Sequence, residues 1–117
     1  MPPRSSSSVR VFYPRRDREQ VVRALADGVA RLAAIVPLRR VVLFGSYATG
    51  RYTVASDIDL LVVYGGPSRA DAYATIRRIL GVRGVELHLY TEAEAKAAAP
   101  TLDRMIGRGI DLLTPRP

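Results

Sequence analysis

The sequence predicts an α+β domain, helices packed on a small mixed β-sheet, and three observations predict it. Helix-period and strand-like segments alternate along the chain in the order helix, strand, strand, helix, strand, helix. The strand-like segments are short apolar runs that start or stop at glycine. The 117 residues, 48% of them hydrophobic, match the length of one domain and supply enough apolar side chains for a core.

Each element has its own signal. Residues 1–8, with Pro, Arg and four serines, read as a disordered leader, and residues 9–117 as one domain. Val9 to Tyr13 is a short extended segment. Asp17 and Gln20 form a capping box ahead of a helix whose stripe is Val21, Leu25, Val29, Leu32 and Val36, closed by Pro37. Val41 to Phe44 is a wholly apolar strand that stops at Gly45-Ser46. Tyr47 to Thr49 begin a short helix ended near Gly50, and Ile58 to Tyr64 form a second strand. Ser68 caps a further helix with Asp71 in its first turn and Tyr73, Ile76 and Leu80 on one face. Val85 to Tyr90 is the third strand. Thr91 and Glu94 make a capping box for an alanine-rich helix that Pro100 interrupts. Leu102, Met105 and Ile106 belong to a second helical piece stopped by Gly107, and Ile110 to Leu113 form a last short strand.

Composition excludes several classes of function. With no cysteine there is no disulfide, thiolate metal site or cysteine nucleophile. No apolar run reaches the roughly 18–20 residues of a membrane span, and MPPRSSSSVRV lacks the apolar stretch of a secretory signal. The expected location is the cytoplasm. The net charge is +7, and Lys96 is the only lysine among 18 basic residues. Such a surface attracts nucleotide, nucleic acid or an acidic protein, or is simply a solvated arginine-rich face. No helix-turn-helix or aromatic stacking run supports nucleic acid in particular.

The chemistry is concentrated between Leu43 and Tyr90. Asp57 and Asp59 are two apart at the start of a strand, so their side chains project to one face while Ile58 and Leu60 go to the other. Two carboxylates held this close repel unless a divalent cation sits between them, and hard oxygen donors suit Mg²⁺ or Mn²⁺. Gly45-Ser46 joins a strand to a helix, a turn where free backbone N–H groups and the absent Cβ of glycine admit a phosphate. By itself such a pair is more often an ordinary turn. No Gly-Lys-Ser/Thr follows it, so the turn is not a Walker loop. In Val85 to Tyr90, alternation puts Glu86, His88 and Tyr90 on one face. Beside the aspartates, Glu86 is a third metal ligand or a proton acceptor; on a half-exposed strand it is a solvent-facing glutamate. His88, the single histidine, is expected to be a partly buried strand residue with a satisfied hydrogen bond.

These residues resemble the minimal nucleotidyltransferases of the DNA polymerase beta-like superfamily. The pattern Gly-Ser, short helix, closing glycine, Ser-Asp-x-Asp-Leu reads here as Gly45-Ser46-Tyr47-Ala48-Thr49-Gly50 and Ser56-Asp57-Ile58-Asp59-Leu60. The resemblance implies a palm-like nucleotidyltransferase fold and metal-dependent transfer of a nucleoside monophosphate from a nucleoside triphosphate, ATP for preference, to a hydroxyl. It assigns metal binding to Asp57 and Asp59, phosphate contact to Gly45 and Ser46, and the third carboxylate to Glu86. It also implies an antitoxin role, with a helical HEPN-domain protein as partner and acceptor. The chain departs from the pattern twice, with Thr49 where arginine is common and Glu86 where aspartate is usual. The competing reading is a non-catalytic antitoxin that neutralises its partner by contact.

Overall fold

The computed structural model describes residues 17–53 and 56–113. The expected leader and the Val9–Tyr13 segment lie outside the described residues.

Asp17 opens the first helix as the sequence suggests. Its carboxylate accepts from the Gln20 N–H at 2.8 Å while the Gln20 side chain accepts from the Asp17 N–H at 3.0 Å. The helix, α1, spans Arg18–Ala33 and buries Val21, Leu25, Gly28, Val29 and Leu32. Val36 lies beyond its end but is still buried. Strand β1 is Leu38–Phe44, three residues longer at its start than the apolar run. Leu38 and Arg40 join it because β2 continues far enough to pair with them, at Tyr64 and Val63, with the register shifting at Arg39 between them. A short helix α2, Ser46–Thr49, closes at Gly50 in the left-handed conformation, and β2 is Ile58–Tyr64.

Helix α3 is Ala72–Leu80, with Asp71 rather than Ser68 at its N-cap. The buried face is Ala72, Ile76 and Leu80, four residues apart on successive turns and packed into the core shared with α1 and β2. Tyr73 is one position round and 48% exposed, against the expectation that it faces inward. Its ring lies 5.9 Å from the Arg77 guanidinium carbon. Strand β3, Val85–Thr91, runs into the predicted capping box, where the Thr91 hydroxyl and Glu94 N–H are 3.1 Å apart. Helices α4 (Glu92–Ala97) and α5 (Ala99–Ile106) follow, then β4, Ile110–Asp111, shorter than expected.

The four strands form one mixed sheet in the order β3-β2-β1-β4, with β2 parallel to β3 and antiparallel to β1. One face is covered by α1 and α3: Ile58, Leu60 and Val62 of β2 share a core with Leu25, Leu32, Ile76 and Leu80. The opposite face carries a smaller cluster in which Val42, Phe44, Leu61 and Val63 meet Leu102 and Ile106 of α5. Leu60, Leu61 and Val62 are fully buried on alternate sides. Each contributes about 1.5–3 kcal/mol by leaving water. This two-sided burial makes β2 the rigid centre from which the site projects. No helix among the described residues is long and apolar enough to cross a membrane.

Candidate functional site

The ladder register brings the acidic residues together. Phe44 of β1, Asp59 of β2 and Glu86 of β3 form one row across three adjacent strands. The next row on the same face is Val42, Leu61 and His88, so His88 lies diagonally across from Asp59. Asp59, Glu86 and His88 each offer a donor atom, and these atoms all lie within 4.8 Å of one another. Glu86 is exposed, while Asp59 and His88 are half-buried. They occupy the face that bears α5, at the end where β1 stops and β2 and β3 begin. The longer side chain of Glu86 does not hold it away from this group.

Gly45 explains why a strand-to-helix turn at this place needs glycine. Its φ of 79° and ψ of −152° belong to a region essentially reserved for glycine. A Cβ there would also collide with Oδ2 of Asp59. The turn therefore rests directly against one oxygen of the acidic group. The Gly45 carbonyl accepts from the Ala48 and Thr49 N–H groups at 3.1 and 3.2 Å, leaving the Ser46 and Tyr47 N–H groups outside the ladder of α2. Ser46 is half-buried at the start of that turn. Thr49, in the position of the commoner arginine, turns its hydroxyl back to the Gly45 and Ser46 carbonyls at 3.4 Å. Beyond it, the rings of Tyr47 and Tyr52 stack at 4.5 Å, and the Tyr52 hydroxyl accepts from the Arg18 N–H at 3.0 Å. These contacts tie Tyr47 and Tyr52 to the start of α1.

Asp57 is placed differently from Asp59. It stands one residue ahead of β2, exposed, and does not belong to the three-residue group. The first ladder pair of the two parallel strands, Ile58 with Val85, lies just after it, and the Ile58 N–H donates to the Gly84 carbonyl at 2.9 Å.

His88 departs from expectation. Its Nε2 is buried without a hydrogen-bond partner among the described residues. The nearest carboxylate oxygen is Oδ1 of Asp59 at 3.5 Å, without the geometry of a hydrogen bond. The Phe44 ring flanks it, with centroids 5.1 Å apart and planes tilted by 58°. Period-two alternation already put His88 on the Glu86 face. Only the pairing of β3 with β2 sets its distance from Asp59.

The set of two carboxylates and one imidazole, with Asp57 nearby, fits a divalent cation. Hard oxygen donors dominate it, and one buried nitrogen has no hydrogen-bond partner among the described residues. A separate surface cleft of about 550 Å³, lined by Arg18, Glu19, Val22, Arg23 and Ile110, shares none of these residues.

A family model described as a nucleotidyltransferase domain matches residues 22–108. No curated protein matches the chain. Among solved structures, a proposed nucleotidyltransferase from Sulfolobus solfataricus aligns over 80% of each chain with 21% identity and a TM-score of 0.58. A second is the toxin-antitoxin MntA-HpeT, in a mutant with two aspartates changed to glutamate. It is 18% identical over 86% of this chain and 75% of that one, with a TM-score of 0.50. At these identities the likeness is one of fold.

Proposed function

Because the chain belongs to the nucleotidyltransferase domain family, we propose that it transfers AMP from ATP to a hydroxyl on a partner protein. The observation that carries this reading is the placement of the Asp59 and Glu86 carboxylates side by side, with the Gly45 turn seated on Asp59. In this reading Asp57, Asp59 and Glu86 hold Mg²⁺ or Mn²⁺, and Gly45 and Ser46 receive the triphosphate. A divalent ion held there neutralises charge on the phosphate oxygens and on the leaving pyrophosphate.

The chain's own part is positioning. Asp59 is fixed from behind by the glycine turn and from below by the buried strand β2, so its carboxylate needs little reorganisation. The Ser46 and Tyr47 N–H groups, unused by α2, are free to donate to phosphate oxygens. The acceptor oxygen bonds to the α-phosphorus as the α–β phosphoanhydride bond breaks and pyrophosphate leaves. The hydroxyl proton passes to the Glu86 carboxylate, which is exposed and returns it to water.

The partner we propose is a helical HEPN-type protein that supplies the hydroxyl, with this chain as its antitoxin in the cytoplasm. One consideration supports it: a solved structure of similar fold is that of a toxin-antitoxin pair. The test is incubation with ATP labelled at the α-phosphate, Mg²⁺ or Mn²⁺, and the product of the adjacent gene. Label should appear on the partner, and Asp57→Asn and Asp59→Asn should abolish it. Absence of label with either ion, while both variants neutralise the partner as well as the parent chain, would replace this reading with inhibition by contact alone.

A further inference from the structure

The buried nitrogen of His88 has a use that the three carboxylates do not supply. We infer that His88 Nε2 is a ligand of the same ion as Asp59 and Glu86, and that it tunes the site toward Mn²⁺ over Mg²⁺. The inference rests on the metal site proposed above and adds an unlike donor to it. Nε2 is shielded from water, lacks a hydrogen-bond partner among the described residues, and lies 3.5 Å from Asp59 Oδ1. No hydrogen bond joins the two, but two ligands of one ion sit at roughly 3.0–3.5 Å from each other when each is about 2.1 Å from it. The third donor, Glu86, completes a group whose atoms are mutually within 4.8 Å. The Phe44 ring packs beside the imidazole and restricts its rotation. The row structure of the sheet keeps Nε2 diagonal to Asp59, since Leu61 pairs with His88 while Asp59 pairs with Glu86.

The selectivity follows from donor chemistry. Mg²⁺ keeps an octahedron of oxygens, gives up its waters reluctantly and gains little from imidazole. Mn²⁺ shares the preference of Mg²⁺ for carboxylates but, as a first-row transition ion, gains more than Mg²⁺ does from an imidazole. An all-carboxylate site binds the two ions through similar contacts; the imidazole separates them.

A single histidine makes the experiment clean. The full chain is labelled with ¹⁵N-histidine, loaded with Mn²⁺ with and without a nonhydrolysable triphosphate, and studied by pulsed electron paramagnetic resonance. The expected result is a directly coordinated nitrogen whose coupling changes on ¹⁵N substitution. In parallel, Mn²⁺ and Mg²⁺ affinities are measured by calorimetry for the parent chain, His88→Gln and Asp59→Asn. His88→Gln should lose about tenfold or more in Mn²⁺ affinity and less than about threefold in Mg²⁺ affinity. Asp59→Asn should weaken both. Bound Mn²⁺ with no histidine coupling in the unmutated protein overturns the role of His88 and leaves the carboxylate site standing. Failure of either ion to bind, even with the triphosphate, removes both readings.

Discussion

The Oδ2 atom of Asp59 lies where a β-carbon on Gly45 would have to be. Glycine at this turn thus does two things at once: it takes up a backbone conformation closed to other residues, and it lets a carboxylate lie flush against the chain. The first is a matter of local geometry, the second of the pairing of Phe44 with Asp59 across β1 and β2. Together they make the position testable by one methyl group.

Gly45→Ala should destabilise the fold by about 2–4 kcal/mol, from backbone strain and the displaced carboxylate together. Urea denaturation measures this. Metal affinity should fall with it, because Asp59 must swing away. An alanine variant of unchanged stability and metal affinity would show that the turn is not packed as described.

Glu86→Gln keeps the shape of the side chain and removes its capacity to take a proton. If the proposed role holds, the turnover number should fall by roughly 10²-fold or more, with the circular dichroism spectrum unaltered. Unchanged turnover would make Glu86 the solvent-facing strand residue that its exposure also permits.

Gly28 lies where α1 crosses α3. An added Cβ would come within 2.8 Å of the Leu80 carbonyl oxygen and 3.1 Å of its Cα, both backbone atoms. Alanine is worth about 1 kcal/mol more than glycine inside a helix, yet forcing two helices apart costs about 1–3 kcal/mol. Gly28→Ala should therefore lower the melting temperature rather than raise it. A stabilised variant would mean that the two helices part without cost.

Asp71 is held below its ordinary value of 3.8, first by a hydrogen bond and then by the charge of Arg69, whose guanidinium lies 3.3 Å from both carboxylate oxygens. A depressed carboxyl pKa lends stability above the unfolded value and loses it as pH falls through the folded one. Both side chains are solvated, so salt screens the effect. Titration by nuclear magnetic resonance should show the Asp71 pKa rising toward 3.8 in Arg69→Gln. No movement would detach the shift from Arg69.

Much of the fold was legible in the chain because its signals are local. The capping boxes at Asp17 and Thr91 appear with both reciprocal hydrogen bonds, since a four-residue motif satisfies its own N–H groups without help from the rest of the molecule. Strand β2 has the bounds that its apolar run implies. Boundaries fail where a partner decides them: β1 begins at Leu38 because β2 is there to pair with it, and β4 stops at Asp111, where its pairing with β1 ends. Tyr73 fell on the wrong side because it lies at the margin of the stripe: the buried face is centred on Ile76 between Ala72 and Leu80, and Tyr73 sits about 60° from that centre.

The candidate site divides along the same line. The sequence by itself determined the members: a glycine-serine turn, two aspartates two positions apart, and the face shared by Glu86 and His88. These follow from the chirality of the chain and the two-residue period of a strand. Only the tertiary structure decided which of them meet. The parallel register of β2 and β3 sets Asp59 beside Glu86 and within 3.5 Å of His88, while Asp57 stays outside the group. Register is chosen by burial on both sides of the sheet, where slipping by one residue would turn Leu60 and Leu61 to the wrong faces. That is a property of the assembled core, and no single strand encodes it.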